Sequence, residues 1–475
     1  MILKNIFSTG IFNIASQVII FLAEIIIARI LSPEDFGVFA ISLLVVELVQ
    51  ILSLKNFAVA YVQNNKADEI DLFSVVLVTF LLSGSITALT ILFLPDLSRL
   101  WGGEALVTGY TVLAWVTPVM LLEYIYRMAL MKKGAFWQVA AAELSSVIVY
   151  AAVAWWLSKS GYGFYSLLYA FMVRQLVKMV TIIILAKKKY KLITEFKWSS
   201  VLRLFRMTSG MTVQNLFIYA TSNTDRYFAN LAGGVTAVGL YSRALKLIKV
   251  PLDQIVRNVS SVLYVEFSNK QDNQHYLINT FLTASGILAL LFIPACSILI
   301  IYSENIISII YGEKWLAMVP LFQMLILGAI VSAMSVIVGD LIKSQGVIYK
   351  EIASNITALI VLISFSIWLY PIYGVLGVAI SYVLGQTTLL LCQVYILSKL
   401  ININYFYYFK IYLFPLLLSV IFVFVSSCIN RFVDTTVGLL LCASITVLIT
   451  LLVLVNLKNR REKTVNIFMT LMLLK

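Results

Sequence analysis

The chain has 475 residues, of which 61% are hydrophobic and 12% charged, with mean hydropathy +0.97 and a net charge of +13. Soluble domains carry about a quarter charged residues, so this composition excludes an ordinary soluble fold and implies a polytopic membrane protein. The basic residues are spread over short loops between apolar runs instead of gathering in one domain, which argues against a nucleic-acid partner.

Runs long enough to cross a hydrocarbon core of about 30 Å recur along the chain and predict an all-α protein with about fourteen transmembrane helices. In chain order they fall at roughly 9–31, 36–62, 72–94, 106–131, 136–158, 164–186, 203–229, 236–265, 277–302, 316–343, 351–370, 374–397, 408–428 and 436–456. The first run lacks a small-residue cleavage site and reads as a retained helix. The apolar tail from Thr464 to Leu474 is too short to span and is expected at the interface or against the bundle.

The short loops assign orientation. With the N-terminus inside, the cytoplasmic side receives Lys4, Lys66, Lys132, Lys133, Lys187, Lys188, Lys189, Lys191, Lys197, Lys270, Lys350, Lys399, Lys458, Arg460, Arg461 and Lys463. The outer side receives Arg99, Lys159, Lys314 and Arg431, so the positive-inside rule predicts both termini in the cytoplasm.

The chain also repeats itself. Phe36-Gly37-Val38-Phe39 matches Val238-Gly239-Leu240-Tyr241, 202 residues later, and the same register pairs Asn13 with Asn215, Glu24 with Arg226 and Lys55-Asn56 with Arg257-Asn258. Lys133-Gly134-Ala135-Phe136 then matches Gln345-Gly346-Val347-Ile348. The basic stretch 187–200 separates the two sets of six spans. An even number of crossings makes the repeats parallel, with N- and C-lobes around a central cavity. The expected divisions are 1–200 for the N-lobe, 201–398 for the C-lobe, and 399–475 for two added helices and a cytoplasmic tail.

Within the apolar runs, polar groups mark the candidate site. Asn13, Gln17 and Glu24 form a stripe on the first span, as do Asn215, Tyr219, Ser222 and Arg226 on the seventh. Two readings stay open for these stripes: interhelical hydrogen bonds that hold the bundle, or the lining of a cavity. The repeat places Glu24 and Arg226 at equivalent heights, as a gate pair across the pseudo-axis, and Asp225 is a candidate titrating carboxylate or a structural ion-pair partner. On the eighth span, Arg243, Lys246, Lys249, Asp253 and Arg257 share one cationic face, with Pro251 as a place to bend. Snorkelling of Lys246 and Lys249 is the alternative for that face. Because Lys55 is the repeat partner of Arg257, an anionic group on the axis would meet cations from both lobes. Glu123 and Arg127 form an i,i+4 pair on the fourth span, and Glu143, Arg174 and Lys178 are possible members of an inner cavity rim.

Other chemistry finds no support. Cys296, Cys392, Cys428 and Cys442 have neither disulfide nor metal spacing, His275 reads as a solvated interfacial residue, and there is no phosphate-binding loop or nucleophile elbow. The expectation is a transporter without cofactor or metal, coupled to protons or sodium, and not an enzyme.

Three segments carry a family resemblance. They are Ala28-Arg29-Ile30-Leu31-Ser32-Pro33-Glu34-Asp35-Phe36-Gly37-Val38-Phe39, then Asn223-Thr224-Asp225-Arg226 with Val238-Gly239-Leu240-Tyr241-Ser242 and Pro251-Leu252, and Tyr370-Pro371-Ile372-Tyr373-Gly374-Val375-Leu376-Gly377-Val378-Ala379. Up to about residue 400 the chain resembles the bacterial polysaccharide-export flippases, nearest to exporters of O-antigen, colanic acid and teichuronic acid, within the multidrug/oligosaccharidyl-lipid/polysaccharide superfamily. Motif carry-over reaches Asp225, Arg226 and the glycine turns. The resemblance implies translocation of a polyprenyl-diphosphate-linked oligosaccharide, as repeat unit of O-antigen, capsule or exopolysaccharide, from the cytoplasmic to the outer leaflet of a bacterial inner membrane by alternating access. It implies a glycan polymerase and glycosyltransferases as partners. An ion-coupled multidrug exporter or a lipid II flippase of the same superfamily is the alternative, with a membrane enzyme of polysaccharide assembly behind them.

Overall fold

The fold was analysed in a computed structural model, which describes residues 2–64, 68–101, 103–190, 195–401, 403 and 405–429. The expected span 436–456, the tail, and Lys66, Lys191, Arg431, Lys458, Arg460, Arg461 and Lys463 lie outside the described residues.

Among the described residues the regular elements are all helical. The helices are α1 (Ile2–Ile30), α2 (Pro33–Leu52), α3 (Phe57–Gln63), α4 (Glu69–Trp101), α5 (Gly103–Ala114), α6 (Thr117–Lys132), α7 (Phe136–Lys159), α8 (Tyr165–Lys187), α9 (Trp198–Asn269), α10 (Gln274–Ile301), α11 (Ser303–Ile310), a 3₁₀ turn (Glu313–Met318), α12 (Val319–Ser344), α13 (Ile348–Tyr373), α14 (Val375–Ile401), α15 (Tyr405–Lys410) and α16 (Leu413–Ile429). Among the described residues, ten helices are long and apolar enough to cross a membrane, and the bent pair α5–α6 makes eleven. In lipid the backbone must satisfy itself, which helices do within one segment. The charged arms of α9 fall at the expected seventh and eighth spans.

Local sequence explains the boundaries. Ser32 caps α2: its hydroxyl accepts from the Asp35 backbone N–H while the Asp35 carboxylate accepts from the Ser32 N–H, and Pro33 occupies the first turn. The expected continuous helix 106–131 is instead bent by 46° between Ala114 and Thr117, where Pro118 supplies no N–H to the preceding turn. α9 breaks at Gly233 and Gly234, and Gly234 takes φ 67°, a conformation costly for any residue with a Cβ.

A second correction concerns 36–62, expected as one span. The helix stops at Leu52 and restarts at Phe57, and Lys55 and Asn56 stand in the gap. Leu54 there has φ 61°, alone among the described non-glycine residues in taking positive φ. A left-handed leucine costs on the order of 1–2 kcal/mol, and here its side chain packs against Phe57, Tyr61 and their neighbours, which holds it in place.

Two compact units divide the chain, Met1–Gly239 and Leu240–Lys475. The N-terminal arm of α9 packs within the first unit. Asn56 Nδ2 donates to Thr212 Oγ1 at 3.1 Å, Asn215 Nδ2 donates to Asn56 Oδ1 at 2.8 Å, and Tyr219 OH donates to the Leu44 carbonyl at 3.0 Å. In the same unit the repeat-equivalent glycines lie at one backbone crossing. A Cβ on Gly37 would collide with the Val235 carbonyl and one on Gly239 with the Pro33 carbonyl, so only glycine permits the approach.

Candidate functional site

The break after Leu52 places a lysine inside the first unit. Lys55 Nζ donates to Gln50 Oε1 at 3.1 Å and stands 5.0 Å from the centre of the Tyr124 ring. The Arg127 guanidinium lies 4.8 Å from the same ring, so two cations share one aromatic side chain.

Arg127 then leads into an ion network built by α6, α7 and α8. Its Nε lies 3.1 Å from Glu123 Oε1, and Lys178 Nζ lies 3.5 Å from that same oxygen and 2.6 Å from Glu143 Oε2. Arg174 Nη2 donates to Glu143 Oε1 at 2.6 Å. Only 5% of the Glu123 side chain and 12% of the Lys178 side chain are exposed. Lys55 also feels the charges of Glu47, Glu123, Arg127 and Lys178.

Three cations, Arg127, Arg174 and Lys178, thus contact two carboxylates directly, and Lys55 joins them through the Tyr124 ring. Each carboxylate is bridged at least twice, which is what keeps buried charge tolerable. The surplus is positive, and Arg and Lys donors around it suit an anion with several oxygens, phosphate esters above all. Sequence spacing shows the Glu123–Arg127 pair. The union of Lys55 with residues up to 123 positions away depends on helix packing.

The other predicted residues are distributed as follows. In the first unit, Asn13 and Gln17 are exposed and Glu24 is buried. Asn215 and Tyr219 make the interhelical hydrogen bonds described above, and Ser222 is exposed. Asp225 is buried and its Oδ1 accepts the Arg226 N–H; Arg226 Nη1 donates to Asn223 Oδ1 at 2.6 Å. In the second unit, Arg243 is buried, Lys246 and Lys249 are half-buried, and Lys249 Nζ stands 5.3 Å from the Tyr382 ring centre. Asp253 and Arg257 are a loose pair at 3.7 Å, with the Arg257 side chain 73% exposed. His275 is exposed beside Asn279. Cys296 and Cys392 are free thiols.

A family model described as "Polysaccharide biosynthesis protein" matches residues 26–320. The chain belongs to this family. It is 21% identical over 387 residues to the lipopolysaccharide biosynthesis protein WzxC of Escherichia coli, covering 79% of this chain and 76% of that one. It is 22% identical over 307 residues to the succinoglycan biosynthesis transport protein ExoT of Rhizobium meliloti, covering 64% and 61%. Among solved structures, the lipid II flippase MurJ in an inward closed conformation matches with a TM-score of 0.79 and 17% identity, over 94% of this chain and 97% of that one. At that identity the likeness shows the fold: this family member is a polytopic helical membrane protein of the same architecture.

Proposed function

We propose that this protein moves a diphosphate-linked lipid oligosaccharide across the bacterial cytoplasmic membrane, from the inner to the outer leaflet, by alternating access. The chain is a multi-pass membrane transporter and not an enzyme. The observation that carries the cargo class is the cluster of Lys55, Arg127, Arg174 and Lys178, which exceeds its partners Glu123 and Glu143 in charge. A diphosphate brings about two negative charges and several acceptor oxygens, and such donors are worth more in a weakly polar surrounding than in water. An exporter of cationic drugs calls for the opposite balance.

The names of the relatives support this reading, since they place similar proteins in lipopolysaccharide and succinoglycan biosynthesis, the second expressly as a transport protein. Both termini lie in the cytoplasm, glycosyltransferases load the carrier lipid on that side, and a polymerase takes the glycan on the other. Asp225, Arg226 and Glu24 act as gate or coupling groups, and Arg243, Lys246 and Lys249 add cationic contacts for the cargo.

The test is complementation of a polysaccharide-negative strain that lacks its own flippase, with drug efflux measured in the same cells. Restored surface glycan and loss of accumulated lipid-linked precursor, without efflux, is the expected result. Efflux of cationic drugs without glycan display overturns the proposal.

A further inference from the structure

One end of the first unit carries cations that its own carboxylates do not use. It is the end at which α6 and α8 stop, and a buried cluster that includes Tyr61, Leu72, Ala129, Tyr190 and Leu204 ties it to α3, α4 and the start of α9. Just past α8, Tyr190 OH donates to the Ala129 carbonyl of α6 at 2.7 Å. That anchor sets the neighbouring lysines. Lys133 Nζ stands 5.1 Å from the centre of the Tyr190 ring, and Lys189 Nζ donates to the Lys133 carbonyl at 3.4 Å. Lys132 serves the fold, its Nζ donating to the carbonyls of Tyr61 and Asn64 at 3.0 and 2.8 Å. Lys133, Lys187, Lys188, Lys189 and Lys197 are exposed, and none of the five pairs with a carboxylate among the described residues. An ammonium has three donors, so Lys133 and Lys189 both keep donors to offer.

Cations at the ends of α6 and α8 offset the carbonyl ends of two helices, and Lys132 and Lys189 already do so through hydrogen bonds. A second set of side chains shows what the remaining charge faces. Phe136 and Trp137 at the start of α7, and Phe196 and Trp198 where α9 begins, are all exposed. The rings of Phe196 and Trp198 lie 6.2 Å apart, with Lys197 between them in the chain, and Lys133 comes three residues before Phe136. Large rings left outside the fold beside cations mark the headgroup level of a bilayer, where the ring meets acyl chain and the ammonium reaches phosphate. Water suits the lysines but not the rings. A zwitterionic lipid covers the rings and leaves the charge, whereas an anionic phospholipid answers both.

We propose that this end of the first unit binds an anionic phospholipid, its phosphate held by Lys133 and Lys189 where Tyr190 fixes them. Lys187, Lys188 and Lys197 add charge around the headgroup, and the exposed aromatic rings lie against the acyl chains. The positive-inside pattern assigns this end to the cytoplasmic leaflet, whose anionic lipids attract basic segments next to a span. A lipid bound there holds the ends of α6 and α8 and the entry into α9 at one depth in the membrane. The site needs no glycan and does not depend on the transport reading above.

Native mass spectrometry of the full-length protein in detergent, titrated with phosphatidylglycerol or with phosphatidylcholine of the same acyl chains, tests it. The expected result is that phosphatidylglycerol binds about tenfold more tightly than phosphatidylcholine. Lys133→Gln combined with Lys189→Gln abolishes that preference. Lys159→Gln, which removes a lysine lying over the Trp155 ring at the other end of α7, leaves it unchanged. Thermal unfolding verifies that each variant is folded, and if the double variant is not, the comparison of the two lipids on the unaltered protein decides. The proposal is overturned if the two lipids bind alike, if the folded double variant keeps the preference, or if Lys159→Gln loses it as well.

Discussion

Lys55 and Arg257 stand at the same place in the internal repeat and meet opposite environments. Lys55 follows a left-handed Leu54 at a helix break, donates to Gln50 and shares the Tyr124 ring with Arg127. Arg257 lies within the helical stretch of α9 that follows the break at Gly234 and is largely exposed, with Asp253 as a loose partner one turn away. The same divergence recurs in the charges of the two units, positive around Lys178 in the first and negative around Asp340 in the second, where Lys343 serves both Asp340 and Glu351. The repeat matches positions in the sequence, but neither the local backbone nor the surrounding charge is the same at Lys55 and at Arg257.

The strongest way to break this contrast is to invert the first cluster. Lys178→Glu puts a third carboxylate between Glu123 and Glu143, and a buried pair broken this way costs about 3–5 kcal/mol. Glycan display should vanish, whereas Lys178→Arg should retain it. Surface polysaccharide measured at matched membrane levels decides between them, and normal display in the glutamate variant would remove the cluster from the cargo path.

Next in size is the glycine crossing that aligns the repeats. Gly37→Ala and Gly239→Ala should each cost about 1–3 kcal/mol through overpacking, read as lowered thermal stability in detergent. The double variant should cost less than the sum, since both act on one contact. Full additivity would mean that the two glycines are independent.

Comparing Lys55→Ala with Arg257→Ala sharpens the contrast directly. Display should fall about tenfold for the first, equivalent to about 1.4 kcal/mol, and change little for the second. Equal losses would restore a symmetric site on the repeat axis. The smallest effect is expected from Arg203→Ala. Arg203 Nη2 donates to both Asp71 oxygens at 2.8 and 2.9 Å, yet its side chain is 52% exposed, so solvent screening limits the loss to below about 1 kcal/mol.

Hydropathy made most of the helices readable, because a membrane core demands long apolar runs and backbone closure within each. Pro118 stands at the bend between α5 and α6, yet the apolar run 106–131 reads through it as one helix, because hydropathy does not register a missing N–H. Nothing in Ser53-Leu54-Lys55-Asn56 announced a break, since neither glycine nor proline is present, and the strain is held by tertiary packing. The cationic site was only half visible for a related reason. The pair Glu123–Arg127 follows from helical periodicity, while its meeting with Lys55 and Lys178 depends on how four helices pack. Asp340 was readable in principle as a carboxylate inside an apolar run, a signal that stands out only when each span is searched for single charges.

The crossing at Gly37 and Gly239 is reciprocal. Gly37 lies against the carbonyl of Val235, and Gly239 against that of Pro33, the residue equivalent to Val235 in the repeat. A contact in which each side offers the other the same patch is isologous, the form found in two-fold homodimers. The match between the two copies of the sequence is thus carried into a shared contact, in which each copy's glycine admits the other's backbone.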